Sequence, residues 1–280
     1  MDRKIRVSTL SLAIPHPKNI PQMEYRYVQV EKYLNEAGRL RSDIVCIPET
    51  FQSSFGKTAE ENAEKKASGR TFKYISEKAK KYRMNVIAPM YENIKGKIYN
   101  SVVVFNRKGK IVGRYLKTHL PGEKCEAGET LPVISTDSGK IGILTCHDMN
   151  FMEICRVYML KGAEIIFWPT MWGHEDIPEY TMLYMRATAL FNSVYVVSSK
   201  YAWTGKDKRQ KPCGSYIIDP NGRVIATKGC RGGLVTAKIT LYGKPRKYKD
   251  TNDCYDVNPA IRKQAILKER RPGLYKTIAK

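Results

Sequence analysis

The sequence Ile141-Gly142-Ile143-Leu144-Thr145-Cys146-His147-Asp148 carries the pattern on which the fold depends. Its apolar first half follows a turn-forming segment at 137–140 and predicts a short buried strand. The next segment, 151–160, predicts a helix. A cysteine between a strand and a helix lies at the carboxyl edge of a sheet, where open α/β sheets bind ligands. Cys146 is therefore a candidate nucleophile whose thiolate a nearby helix N-terminus would favour, and a buried structural cysteine is the alternative.

Two further predicted strands end in residues that can take part in catalysis. The apolar run 43–47 predicts a strand covered on both faces, and Glu49 follows it. The second strand of a predicted hairpin, 111–116, ends at Lys117. A thiol that attacks a carbonyl carbon needs a base, and the carboxylate of Glu49 can serve. The oxyanion that forms can be stabilised by the Lys117 ammonium and by the backbone N–H after the nucleophile.

The rest of the chain alternates between helices and strands. We predict helices at 24–41, 71–82, 179–193 and 261–268, strands at 5–13, 85–89, 101–105, 164–169, 194–198 and 234–241, and a hairpin at 215–225 around a Pro-Asn-Gly turn. This order predicts one α/β domain with mixed sheets over residues 1–241. Residues 242–280 are basic and loop-like, and we predict a C-terminal arm that packs on the domain or on a partner subunit.

Composition limits the class of protein. The 280 residues are 42% hydrophobic and 27% charged, as in a folded globular protein, and no apolar run reaches membrane-spanning length. The first ten residues predict a strand and not a signal peptide. The 7 cysteines are odd in number and lack framework spacing, which favours reduced thiols in the cytoplasm.

The net charge of +22 makes a catalytically silent nucleic-acid-binding protein the alternative from another class. The basic residues are nevertheless spread along the chain. The densest runs, 206–211 and 268–271, lack the interleaved aromatic residues of a base-stacking surface. We therefore predict a solvated basic surface and no nucleic-acid partner.

Several segments in this order resemble the motifs of the nitrilase superfamily of carbon–nitrogen hydrolases. They are residues 47–51, 114–120, 142–153, 169–172, 186–189 and 214–222. The resemblance implies a four-layer αββα sandwich, a homodimer or larger homo-oligomer, and hydrolysis of non-peptide carbon–nitrogen bonds. We predict neither a cofactor nor a metal.

The resemblance also implies roles for the three strand-end residues and their neighbours. Cys146 would be the nucleophile that forms a thioester, Glu49 the general base and Lys117 the oxyanion stabiliser. The backbone N–H of His147 would be the second oxyanion donor. Glu123 best matches a further glutamate that orients the nucleophile and the lysine.

Three assignments stay open from the sequence. Glu126 is the alternative to Glu123, because the loop 119–128 is short. Trp172 is the candidate substrate-binding residue, with a buried aromatic at a subunit interface as the alternative. For Arg186 we favour a structural ion pair over contact with a substrate carboxylate.

The substrate prediction is a linear amide or an N-carbamoyl compound, with nitrile hydrolysis by the same residues as the alternative. The N-carbamoyl class is suggested by residues 270–275, which resemble the tails of carbamoyl-amide hydrolases. A metal site made of His119, Cys125, Cys146 and His147 is disfavoured, because the sequence has no CxxC or paired-histidine motif. A Cys–His pair is disfavoured because the adjacent His147 is poorly placed to reach Cys146.

Overall fold

The computed structural model describes residues 1–14, 19–54, 56–66, 68–171, 178–203, 214–245 and 247–279. The helices in these ranges are α1 (Gln22–Arg39), α2 (Ala59–Asn62), α3 (Arg70–Tyr82), α4 (Met152–Leu160), α5 (Pro178–Asn192) and α6 (Pro259–Glu269). The strands are β1 (Arg3–Ile14), β2 (Ile44–Cys46), β3 (Asn85–Ile94), β4 (Lys97–Phe105), β5 (Ile111–Leu116), β6 (Ile134–Thr136), β7 (Gly139–Ile143), β8 (Ile165–Pro169), β9 (Tyr195–Trp203), β10 (Tyr216–Ile218), β11 (Val224–Thr227) and β12 (Gly233–Leu241).

The strands form a mixed sheet in the order β5-β4-β3-β2-β1-β9-β8-β7-β6, with β12 added to β1 and the β10–β11 hairpin added to β9. The neighbours β1, β2 and β3 are parallel, as are β7, β8 and β9, and hairpins complete both edges. The long β1 pairs with β12 over most of its length and with β9 through its last four residues. It therefore joins the two halves of the sheet.

The two halves of the sheet face each other and each carries helices on its outer face. Alternate side chains of β8 show this division. Ile165 and Phe167 enter the core between the sheets, whereas Ile166 enters the core under α4 and α5. On β2, Val45 packs beneath α1 and α3, and Ile44 packs between the sheets. Three hydrophobic cores thus separate four layers, which confirms the predicted αββα sandwich.

Helix α6, in the segment that follows β12, is held against the rest of the chain. Its buried Arg262 donates to Asn221 Oδ1 at 2.8 Å, to Ser193 Oγ at 3.0 Å and to the carbonyl of Pro220. Lys263 Nζ donates to the carbonyl of Ala163 at 2.7 Å. These bonds fix the helix beside the end of α5 and the turn before β8.

One part of the sheet is larger than the sequence predicted. Strand β3 continues to Ile94 and forms a hairpin with β4, which begins at Lys97. The predicted strand ended at Pro89, a residue that cannot donate a ladder hydrogen bond, and so missed the second half of β3, which contains the polar Glu92. Glu92 is buried because it forms a bidentate pair with Arg114, at 2.7 Å to each nitrogen, on the neighbouring hairpin. No helix in the described ranges has the length and apolar character needed to cross a bilayer.

Candidate active site

The chain segments that follow β2, β5 and β7 bring Glu49, Lys117 and Cys146 to one place. Lys117 Nζ donates to Glu49 Oε1 at 3.2 Å, and both side chains are almost completely buried. The Cys146 thiol lies close enough to Glu49 and to Lys117 for both groups to shift its pKa. A carboxylate, an ammonium and a thiol are therefore close together at the sheet edge.

The turn at Cys146 has a strained backbone. Its φ of 48° lies in the left-handed region, which residues with a side chain rarely adopt. A 3₁₀ turn begins at this residue, and its carbonyl accepts a 3.0 Å bond from the indole N–H of Trp168. Thr50, directly after Glu49, has a φ of 43°. Strain of this kind concentrates at functional sites, where the surrounding structure must hold it.

Glu49 is fixed by three donors. Its Oε1 accepts from Lys117 and, at 2.9 Å, from Asn100 Nδ2. Its Oε2 accepts from the backbone N–H of Met171 at 2.8 Å. The carboxylate therefore has one orientation, with the thiol of Cys146 beside it.

The second carboxylate in contact with Lys117 belongs to Glu123. Its Oε1 accepts from Lys117 Nζ, and its Oε2 accepts from Asn100 Nδ2 at 2.9 Å. Lys117 and Asn100 thus each bridge Glu49 and Glu123. Glu126 points elsewhere: its Oε2 lies 3.6 Å from Lys97 Nζ, and both of these side chains are exposed.

The ammonium of Lys117 stays charged in the interior. Burial alone would lower its pKa, but the negative charges of Glu49 and Glu123 and the hydrogen bond to Glu123 act in the opposite direction, and the pKa is raised above the ordinary value. Lys117 therefore supplies a fixed positive charge beside the thiol at every pH at which the protein would work.

The thiol of Cys146 is held in its neutral form. Burial, and next the negative charge of Glu49, raise its pKa to about 12, although Lys117 and a hydrogen bond to Thr170 act in the opposite direction. The expectation of a resting thiolate, drawn from the nearby helix N-terminus, is therefore wrong. A helix terminus contributes only a partial charge, which is smaller than the combined effect of burial and a full carboxylate charge.

Two polar residues of the site were not predicted. Asn100 lies within β4, and nothing in its local sequence distinguishes it from an ordinary strand residue. Asp148 is fully buried and accepts hydrogen bonds from the segment around Lys117 and from the turn before Cys146. The sequence signal for Asp148 was its position two residues after the candidate nucleophile Cys146.

The structure places the other predicted residues as follows. His147 is the second residue of the 3₁₀ turn, and N–H groups in the first turn of a helix have no acceptor within that helix. Arg186 donates through Nε to the carbonyl of Gly222 at 2.8 Å, which is a structural contact. Trp172 lies outside the described residues. Within the described ranges, no three His, Cys, Asp or Glu side chains are grouped as metal ligands would be.

Comparison with known proteins identifies the family of this chain. The sequence profile of the family described as carbon-nitrogen hydrolase matches residues 12–243. The omega-amidase NIT2-A of Xenopus laevis is 30% identical over 223 residues, which are 75% of this chain and 81% of that protein. The deaminated glutathione amidase of Homo sapiens is 33% identical over 192 residues, covering 64% of this chain and 55% of that protein.

A solved structure gives the same result at the level of the fold. Nit3 of Saccharomyces cerevisiae, a member of branch 10 of the nitrilase superfamily, superposes with a TM-score of 0.70 at 25% identity. The match covers 84% of this chain and 89% of the yeast chain. The family profile, these relatives and the four-layer sandwich agree. This chain belongs to the carbon–nitrogen hydrolase family of the nitrilase superfamily.

Proposed function

We propose that the protein hydrolyses small linear amides through a thioester on Cys146. The observation that carries this proposal is that the Cys146 thiol lies near the fixed Glu49 carboxylate, which is paired with the buried Lys117 ammonium. A neutral thiol beside a carboxylate is suited to concerted attack, because the base removes the proton as the sulfur–carbon bond forms. Because its pKa is raised, the thiol is neutral at rest, and it would lose its proton to Glu49 during the attack.

The acylation step follows from these positions. The Cys146 sulfur bonds to the amide carbon while Glu49 takes the thiol proton, and the carbonyl oxygen becomes an oxyanion. Lys117 and the backbone N–H of His147 are the proposed donors to that oxygen. The intermediate then expels the amine, which receives the proton from Glu49 and leaves as ammonia or an alkylamine. The acyl group remains on sulfur as a thioester.

Deacylation uses the same groups in the same roles. Glu49 takes a proton from water as the water oxygen bonds to the thioester carbon, and the oxyanion again faces Lys117. Collapse breaks the carbon–sulfur bond, the proton returns to the thiol and the acid product leaves. Overall, one amide and one water give one carboxylic acid and one amine, and the enzyme is regenerated without a cofactor.

Glu123 is the proposed orienting carboxylate of the site. Its bonds to Lys117 and Asn100 mirror those of Glu49, so the ammonium is held between two carboxylates and cannot swing towards solvent. Glu126 makes no contact with Lys117 among the described bonds, and its exposed pair with Lys97 lies at the surface. We therefore propose Glu123 for this role.

The amide class of substrate is supported by the relatives, two of which are named omega-amidase and deaminated glutathione amidase. Trp172, directly after Met171, is proposed to contact the substrate.

We further propose that residues 1–241 form the hydrolase domain, that 242–280 form the arm, and that the protein acts in the cytoplasm. The six free cysteines among the described residues support a reducing compartment.

We also propose that the protein is a homodimer or a larger homo-oligomer. Large apolar side chains are exposed on α4 and α5, namely Met152, Leu160, Leu183, Leu190 and Phe191. A second copy of the same helices would cover this surface. Leu183→Glu combined with Phe191→Glu should lower the mass measured by light scattering to that of the monomer, whereas an unchanged mass would place the interface elsewhere.

The substrate class is tested by measuring ammonia and acid products from a panel of linear amides, N-carbamoyl amino acids, N-carbamoyl amines and nitriles. Turnover of the amides ahead of the other classes is the expected result. Preferential turnover of N-carbamoyl compounds or nitriles would change the substrate and keep the cysteine mechanism. Turnover that persists in Cys146→Ala would reject the mechanism, and Cys230→Ala, which removes an exposed thiol outside the site, is the matched control.

A further inference from the structure

The carboxylate of Asp148 is completely buried and surrounded by donors. Its Oδ2 accepts from Tyr115 OH at 2.7 Å and from the backbone N–H of Thr145 at 2.8 Å. Its Oδ1 accepts from the backbone N–H of His119 at 3.0 Å and from Thr118 Oγ1 at 3.1 Å. A buried carboxylate is costly unless hydrogen bonds replace its water, and here both oxygens have two such bonds.

These donors come from the two segments that carry the reacting groups. Tyr115 lies two residues before Lys117 and Thr118 lies one residue after it, so the carboxylate holds the chain on both sides of the lysine. Thr145 directly precedes Cys146, and Asp148 itself follows the cysteine by two residues. One carboxylate therefore ties the end of β5 to the strained turn at the nucleophile.

An aromatic contact adds to this connection. The ring of His119 lies 3.7 Å from the ring of Phe151, centroid to centroid, and the planes differ by 15°. The Nδ1 atom of the same ring is 3.1 Å from Asp148 Oδ1. His119 thus packs between the buried carboxylate and the residue that precedes α4.

We propose that Asp148 is a positioning residue that sets the distance and orientation of the Lys117 ammonium relative to the Cys146 sulfur. This inference rests on the proposed amidase function, because it assigns a task to a residue that would not touch the substrate. Asp148 acts through the backbone on both sides: it fixes Tyr115 and Thr118 around the lysine and Thr145 before the cysteine. The alternative is a carboxylate that only stabilises the fold.

Asp148→Asn separates these two possibilities. Asparagine keeps the volume but turns one acceptor oxygen into an NH₂ group that faces donors, so one of the two segments must shift. A misplacement of about 1 Å can reduce a rate about a hundredfold. We expect kcat to fall at least about tenfold with KM changed less than about threefold, because the substrate pocket itself is intact.

A second readout does not depend on amide turnover. Lys117 lowers the pKa of the Cys146 thiol, so an ammonium that has moved away leaves less thiolate at any given pH. Iodoacetamide should therefore alkylate Cys146 more slowly in Asp148→Asn than in the wild type, as measured by peptide mass spectrometry. If the wild type hydrolyses no amide, the proposed function fails, and the alkylation rates still decide whether Asp148 positions the two groups.

Asp43→Asn is the matched control. The Asp43 carboxylate also bridges two segments, accepting from the backbone N–H of Arg6 at 2.7 Å and from the Arg107 guanidinium at 2.7 Å. It lies just before β2, at the opposite end of this strand from Glu49. We expect Asp43→Asn to lower the melting temperature and to leave both kcat and Cys146 alkylation unchanged.

The proposal is overturned if folded Asp148→Asn keeps kcat and the alkylation rate within about threefold of the wild type. If that variant does not fold, Tyr115→Phe and Thr118→Val replace it, since each removes one donor and little volume. A severalfold loss of kcat and slower alkylation in both variants would support positioning. Wild-type values in both would show that Asp148 has a structural role only.

Discussion

Glu49 and Lys117 are joined by a 3.2 Å hydrogen bond between Oε1 and Nζ, although only 4% and 1% of these residues are exposed. A buried ion pair is stable only when further bonds satisfy both partners. Here Asn100 and the Met171 N–H complete the shell of Glu49, and Glu123 binds the other side of Lys117. The pair is therefore part of a fixed network: removal of Lys117 leaves Glu49 and Glu123 without their shared cation, whereas removal of Glu49 leaves Lys117 paired with Glu123 alone.

Glu49→Gln is expected to reduce kcat by about a hundredfold to ten-thousandfold, the usual range for loss of a general base. The amide has the shape of the carboxylate but cannot accept the thiol proton. Steady-state kinetics on the preferred amide measure this loss, and circular dichroism checks that the variant folds. A folded variant with near-wild-type kcat would remove Glu49 from the mechanism.

Lys117→Ala should lower kcat by at least about a hundredfold, as is typical for loss of an oxyanion donor. Its matched control is Lys97→Ala, which removes a mostly exposed lysine paired with Glu126 at the surface. Exposed pairs of this kind contribute about 0–1 kcal/mol, so the control should keep both activity and stability. Equal activity in the two variants would mean that Lys117 has no part in catalysis.

The two candidate carboxylates differ in their contacts, and the same substitution in each gives a direct comparison. Glu123→Gln should damage kcat more than Glu126→Gln, because only Glu123 contacts Lys117 and Asn100. The comparison requires kcat for both variants on one amide under one set of conditions. The reverse order would assign the second carboxylate to Glu126.

The raised pKa of the thiol has consequences for pH dependence. Because the neutral thiol is the resting form up to a pKa of about 12, kcat/KM should show no rising limb near the ordinary thiol pKa of about 8.5. A limb centred there, present in the wild type, would show that a preformed thiolate is the nucleophile. The profile is measured with substrate well below KM, so that it reports the free enzyme.

The raised pKa of the Cys146 thiol also makes the free energy of unfolding depend on pH. The thiol pKa is raised in the folded state, so the folded protein retains a proton that the unfolded chain has released. The stabilising effect is complete below the ordinary thiol pKa of about 8.5 and is lost as pH rises towards about 12. The difference in unfolding free energy between wild type and Cys146→Ser should therefore change over this alkaline interval and stay constant below it.

Much of the site could be predicted because the reacting residues follow apolar runs. Lys117 directly follows a strand, Glu49 and Cys146 each lie three residues beyond the end of one, and strand ends meet at the edge of a sheet. The partners Asn100 and Asp148 could not be predicted in this way. Asn100 reaches Glu49 only through the register of β3 and β4, and Asp148 reaches Tyr115 only once the two halves of the sheet face each other.

The wrong expectation at Cys146 has a related cause. Local sequence correctly indicated a turn before a helix, but the ionisation of the thiol depends on burial and on Glu49, which is almost a hundred residues away in the sequence. Contacts over such separations set the electrostatics of the site. The turn at Cys146 could be predicted from neighbouring residues. The pKa of its thiol could not, because it depends on residues that come together only in the folded protein.

The most direct test of the account is ammonia release from the preferred amide by Cys146→Ala, compared with the wild type and Cys230→Ala at equal protein concentration. The account predicts release at the background rate in Cys146→Ala, wild-type release in Cys230→Ala, and the same circular dichroism spectrum in all three proteins. Sustained release by folded Cys146→Ala would contradict it, because no thioester could then form at this position.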